Sequence, residues 1–453
     1  MTSLQRFLIA LGIAVAAVVP WFLTGNFDAP VSNSIFGRWA PGIFATNVAV
    51  GFVGAFALRA LWLGEGRRRG FEAFLFVAST GLVIGTLEIA AALGLDYQDV
   101  VGLPEHKRLT RIKPWNNPSN LRDQTLIFRH RPNVAYAGEV QGDLVALYGI
   151  ATDRSYSIDV RYDANGHRNP EPSEASGIVL IGDSFIEADL TPPDQLQSVH
   201  LRRRTGKSVL NLGVAGYGPH QELELLRRHA TDVGAEHIVW FFFEGNDLLD
   251  VDRYQFYERF PESYMNPEAT FSERSFVNNL MAALSFWTEP RRKVDAQAAR
   301  ERRCAYPQSQ TSENRDLYFA YSGAELRSAD FEHLAEVEKI LATARTVARD
   351  AGAEFHLVFV PTKFRVFDGI CEVPEGSLLL SWKTNDLPAR LGRLAERLGV
   401  PYLDLTPGLR AAARTGESAY FPDDGHWNAS GQRLVAELLA DELEDVLRDT
   451  SAP

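Results

Sequence analysis

A chain of 453 residues with 45% hydrophobic and 23% charged content can bury a large core and is too apolar to be disordered. Its formal net charge of -12 lacks the basic footprint of a nucleic-acid binder, so no nucleic-acid partner is expected. Its two cysteines, Cys304 and Cys371, form no Cys-x-x-Cys pair. No His-Glu-x-x-His or clustered-histidine pattern occurs either, so no metal and no cofactor is expected.

Residues 1–95 hold three apolar stretches, 7–23, 42–63 and 71–95. Each approaches the roughly 20 residues that cross a bilayer as a helix, which predicts a membrane anchor of three transmembrane helices. Arg59 and Glu88 lie near the ends of their stretches, where a charged head reaches water. Arg67-Arg68-Arg69 fall in the short turn between the second and third stretches, which predicts that this turn is cytoplasmic. The amino terminus would then be cytoplasmic and everything beyond residue 95 periplasmic or extracellular. Lys107, Arg108, Arg111 and Lys113 weigh the other way, but large domains translocate largely regardless of charge. In that oxidising setting Cys304 and Cys371 become a candidate disulfide, with two buried thiols as the alternative. The anchor could also recruit a membrane protein partner, although no motif names one.

Residues 96–123 are polar, broken by Pro104, Pro114 and Pro118, and read as a linker. Residues 124–176 contain alternating runs such as Tyr156–Tyr162, followed by a turn at Asp163-Ala164-Asn165-Gly166, and read as a small β-rich lead-in. From residue 177 to about 450 strands and helices alternate. The strand candidates are Ile178–Ile181, Ser208–Leu212, His237–Phe243, Phe355–Val360 and Tyr402–Leu405. The helical patterns between and after them are Gln195–Arg204, His220–Val233, His333–Ala351, Leu387–Leu398 and Gln432–Leu447. Continuous apolar strands separated by helices predict an α/β fold, a three-layer doubly wound parallel sheet. An aromatic and charged stretch at about 250–327 interrupts the rhythm and reads as an insertion over the active-site edge.

Gly182-Asp183-Ser184-Phe185 follows the first strand, where an open α/β sheet places its chemistry. Ser184 alone would read as a helix cap. His426, far downstream in Asp423-Asp424-Gly425-His426, changes that reading, because a serine needs a base and the base needs an orienting carboxylate. Asp423 is the expected orienter, with Asp424 the alternative. Asn246 in Gly245-Asn246-Asp247 and Gly216 in Asn211–Gly218 can donate to a developing oxyanion. Two resemblances to other motifs fail. Gly206-Lys207-Ser208 lacks the leading glycine of a phosphate loop, and Ile186 replaces the second glycine of a nucleophile elbow.

These blocks resemble the SGNH (GDSL-type) hydrolase superfamily over about residues 177–447, with Asp163–Asn169 similar to the lead-in of many bacterial members. The resemblance implies a flavodoxin-like fold and Ser184 as nucleophile. It also implies an oxyanion hole from the N–H groups of Ser184 and Gly216 and the Asn246 amide, His426 as base and Asp423 as its orienter. Ala188 departs from the pattern where a glycine is common. Val360-Pro361-Thr362-Lys363 and the anchor are similar to the branch that includes alginate O-acetylation proteins. The expected activity is a serine esterase or O-acyltransferase of the bacterial inner membrane. It would act through an acyl-serine on an acyl ester or acylated envelope glycan. A non-catalytic polysaccharide-binding module and a lipase or thioesterase are the alternatives.

Overall fold

The computed structural model describes residues 3–23, 66–93 and 117–449, with isolated positions among 47–58 and Tyr97. Within the last span, 149, 151–153, 171–176, 231–232, 260–270, 289–300, 308–314, 321–325 and 327 are left out. The chain divides into two compact units, residues 1–113 with 266–292, and residues 114–265 with 293–453.

In the first unit, helix α1 spans Ser3–Leu23 and α2 spans Gly66–Ala92, where the first and third apolar stretches were expected. Most of the second, 42–63, lies outside the described residues. Among the described residues no helix is long and apolar enough to cross a membrane, so the expected set of three spans is not found there. Pro20 lies inside α1, while α2 opens on Arg67-Arg68-Arg69 and carries Glu72 and Glu88. The same unit contains the apolar helix Phe276–Thr288, drawn from far downstream. Glu88 Oε1 accepts from Ser275 Oγ at 3.0 Å and from the Val277 N–H at 2.7 Å. Within the expected insertion at about 250–327, residues 266–292 belong to the unit of the amino-terminal helices.

The second unit opens with two antiparallel hairpins. The first pairs β1 (Asn120–Asp123) with β2 (Ile127–His130), and the second pairs β3 (Ala135–Val140) with β4 (Tyr156–Arg161). The expected linker thus ends inside a strand, and a short helix, α3 (Asp143–Tyr148), lies between β3 and β4. There follow β5 (Ile178–Ile181), α4 (Ser184–Glu187), α5 (Gln197–Thr205), β6 (Val209–Asn211), α6 (Pro219–Leu225), β7 (His237–Phe243) and α7 (Asp247–Arg259). After α8, the helix Phe276–Thr288 of the first unit, come the antiparallel pair β8 (Arg303–Tyr306) and β9 (Arg315–Tyr318), then α9 (Ser328–Asp350) and β10 (Glu354–Val360). The chain ends through α10 (Lys363–Phe367), α11 (Leu387–Leu398), β11 (Tyr402–Asp404), α12 (Thr406–Arg414) and α13 (Ala429–Asp449).

Five of these strands form one sheet in the order β11-β10-β7-β5-β6, and every pairing in it is parallel. Successive residues of a strand face opposite sides. Ile178 and Leu180 enter one apolar layer with Val239, Phe241 and Leu439, while Val179 and Ile181 enter the other with Trp240, Phe242 and Leu341. Helices cover both faces, which is why β5 and β7 read as unbroken apolar runs. Burying each such side chain contributes about 2 kcal/mol. The sheet order reverses at β5, whose neighbours are β6 and β7. The carboxyl ends of β5 and β7 therefore meet at a topological switch point, where such sheets bind ligands. Cys304 in β8 is bridged to Cys371, and beside the bridge Ala305 and Glu372 exchange backbone hydrogen bonds of 2.8 and 2.9 Å.

Candidate active site

Ser184 begins α4 three residues past the end of β5, with Asp183 as cap accepting from the Phe185 N–H at 3.0 Å. Ser184 Oγ lies 2.8 Å from His426 Nε2, although 242 residues separate them in sequence. His426 Nδ1 lies 2.7 Å from Asp424 Oδ1. The expected orienter was Asp423, and the geometry corrects it to Asp424. The reason is local. Asp424 Oδ1 also accepts from the His426 backbone N–H at 2.8 Å, an Asx turn that holds the carboxylate under the ring. Asp423 is fully buried and accepts instead from the Tyr156 hydroxyl on β4.

A second carboxylate, missed in the sequence, supports the base. Asp143 at the start of α3 donates its N–H to Asp424 Oδ2 at 2.8 Å and accepts from the Gly425 N–H at 2.9 Å. Its Oδ2 lies 3.9 Å from His426 Nδ1. A Cβ on Gly142 would stand 2.2 Å from the Asp423 carbonyl oxygen, so the chain can approach the base loop here only with glycine. Lys363 completes the cradle. Its buried Nζ donates to the carbonyls of Phe421 at 2.6 Å, Pro422 at 2.8 Å and Asp424 at 3.2 Å. The Val360–Lys363 motif thus acts by pinning the loop that carries the base.

The charges follow from this packing. Burial disfavours an imidazolium at His426, but Asp424, then Asp143 and Asp183, override it and push His426 up to about 9. Burial works against an ionised Asp424 as well, yet His426 and the surrounding N–H groups hold it at about 2. Burial, and then the Asp424 charge, push Asp143 up to about 6. Burial takes Lys363 down to about 7. Nδ1–H bonded to Asp424 leaves Nε2 as the acceptor for the Ser184 proton in the neutral ring. Asp143, Asp424 and His426 also place one ligand atom each within 4.8 Å of one another. In this arrangement both ring nitrogens of His426 are already engaged, by Ser184 and Asp424.

The two oxyanion candidates are tied to each other. Asn246 Nδ2 donates to Asp250 Oδ2 at 2.6 Å. Asp250 Oδ1 pairs with Arg253 at 2.5 Å, and Arg253 donates to the Gly216 carbonyl at 3.2 Å. Gly216 has φ +82 at the third position of the turn closed by Tyr217 N–H to Val214 O at 3.1 Å, a conformation that favours glycine. One Asn246 amide proton is committed to Asp250, which leaves the other for a ligand. The turn is also anchored below, because Glu187, three residues after Ser184, accepts from the Ala215 N–H and from Tyr162 Oη at 2.6 Å. His130 Nε2 lies 3.0 Å from Glu187. The Asp163–Asn169 motif braces the same region. Buried Arg168 donates to the carbonyls of Glu187 at 3.0 Å, Thr191 at 2.6 Å and Ala188. Ala188 caps α4 with φ 56, which gives a physical reason for a glycine there.

Residues 317–452 match the family model of the SGNH hydrolase-like domain of acetyltransferase AlgX. That stretch takes in Lys363, Asp424 and His426 and stops short of Ser184, Gly216 and Asn246. No curated protein matches the chain. Similar solved structures include a GDSL-like lipase from Bacteroides thetaiotaomicron (12% identity, 59% of this chain and 88% of that one, TM-score 0.30). A lipase/acylhydrolase from Enterococcus faecalis is another (14%, 59% and 95%, TM-score 0.31). A third is a two-domain esterase active on acetylated mannans (13%, 60% and 50%, TM-score 0.32).

Proposed function

We propose that this protein is a serine esterase or O-acyltransferase that works through an acyl-serine on an acylated cell-envelope polysaccharide. The observation that carries the reading is the Ser184–His426–Asp424 relay, with contacts of 2.8 and 2.7 Å. Ser184 Oγ attacks the ester carbonyl as His426 Nε2 takes its proton, and Asp424 stabilises the imidazolium. The N–H groups of Ser184 and Gly216 and the free Asn246 amide proton receive the oxyanion, a role worth about 3 kcal/mol for one donor. The alcohol leaves with the proton from His426. Water or a sugar hydroxyl, deprotonated in turn by His426, then takes the acyl group and frees Ser184. The AlgX-type match supports a polysaccharide as the acyl acceptor or donor. We place the second unit outside the cytoplasm of a bacterial cell, attached to the inner membrane through the first. Support for this comes from the Cys304–Cys371 bridge and from the exposed Phe7, Leu11, Phe22, Phe74, Leu82 and Leu93 of the first unit.

The test is hydrolysis of p-nitrophenyl acetate by the purified chain, with and without a glycan acceptor. Turnover that Ser184→Ala abolishes, and acetylated glycan detected by mass spectrometry, is the expected result. Equal turnover by Ser184→Ala would reject the reading in favour of a non-catalytic binding module.

A further inference from the structure

At the end of the sheet opposite Ser184, two histidines and a carboxylate converge. Glu354 and His356 are two residues apart on β10, and the parallel register sets Glu354 beside His237 on β7. All three side chains therefore stand on one face at the amino-terminal end of the two central strands. His237 Nδ1 lies 3.1 Å from His356 Nε2, and Glu354 Oε2 lies 3.6 Å from each of those nitrogens. Ligands at 2.0–2.2 Å from a tetrahedral Zn2+ stand roughly 3.4 Å apart, so this triangle has the size that the ion requires. We propose that His237, His356 and Glu354 form a zinc-type divalent metal site, separate from the esterase centre and independent of the esterase reading.

The surroundings agree with a cation there. Both histidines are buried, while Glu354 is about a third exposed and opens the fourth position to solvent. Among the described residues, the ion-pair contacts of Glu354 are with these two rings. Lys207 is paired with Glu236 at 2.5 Å. The seven-residue β7 separates this edge from Asn246 by about 20 Å. Among the described residues the outward ring nitrogens, His237 Nε2 and His356 Nδ1, have no hydrogen-bond partner of the kind that strengthens zinc sites by about 10–100-fold. Its role would be to clasp the two central strands.

The experiment is Zn2+ titration of the untagged, chelator-treated chain by calorimetry, with X-ray absorption of the loaded protein. One equivalent is expected, with two imidazoles and oxygen in the first shell. Glu354→Gln should weaken uptake at least about tenfold, the scale that even outer-shell losses reach, and His426→Asn should leave it unchanged. No uptake by the wild-type chain, a single-imidazole shell, or uptake that Glu354→Gln leaves unaltered would overturn the site. The absorption spectrum needs only the wild-type protein, so misfolding of a variant does not blunt the test.

Discussion

Two adjacent aspartates meet two different partners, and that difference can be measured. Asp424 holds the Nδ1 proton of His426, so Asp424→Asn should favour the wrong tautomer and lower kcat about 10³–10⁴-fold. Asp423 bonds Tyr156 instead, so Asp423→Asn should keep kcat within about tenfold and show its effect in thermal stability, a lost bond to a charged group being worth about 1.5–3 kcal/mol. The spacing Asp-x-x-His could not separate the two, because the choice depends on the Asx turn and on Tyr156 arriving from a distant hairpin. Asp143 adds a pH signature. With His426 pushed up to about 9, the base is mostly protonated at neutral pH, and activity should rise as pH increases above 7. Asp143 is one of the charges that raise it, so Asp143→Asn should move the rise in kcat/KM to lower pH. An unmoved profile would remove Asp143 from the electrostatics of the base.

The helices behind the nucleophile carry buried acids that burial keeps protonated. Glu222 on α6 and Asp247 on α7 are raised well above the usual carboxyl range, by burial first, then for Glu222 by Asp183 and Asp250 and for Asp247 by Glu222, Asp183 and Asp250. A folded-state value above the unfolded one means that the native protein holds a proton the unfolded chain releases. Stability is then lost as pH climbs from the unfolded carboxyl value toward the folded one. Glu222→Gln removes this loss. Its melting temperature should exceed wild type by about 2–4 °C at pH 7–8, if about 1 kcal/mol is recovered, and match it near pH 4. Calorimetry against pH checks the sign. At this scale the sequence was largely transparent for the sheet. The runs Ile178–Ile181, His237–Phe243 and Phe355–Val360 are made of β-branched, aromatic and leucine residues with histidine, as strands covered on both faces can be. It was opaque for α3, for the Asp250–Arg253 tie between Asn246 and Gly216, and for Lys363 as a loop clamp. Each of those depends on a contact between remote segments that no local period records.

At the scale of the whole chain, the apolar helix Phe276–Thr288 belongs to the unit of the amino-terminal helices rather than to the unit around it in sequence. Its composition announced an apolar partner but not which one. The Cys304–Cys371 bridge closes a span of 67 residues across the return from that excursion. In the chain-entropy model such a loop stabilises by about 4 kcal/mol. Replacing both cysteines by alanine should lower the urea midpoint accordingly, and reductant should have the same effect on the wild-type chain. The central claim is that segments as far apart as β5 and the loop before α13 build one reactive centre, with the Ser184 hydroxyl activated by His426. Fluorophosphonate labelling of the purified chain, read by peptide mass spectrometry, tests it most directly. The account predicts a single adduct on Ser184 that nearly disappears in His426→Ala. A folded chain that takes no label, or that labels equally without His426, would contradict it.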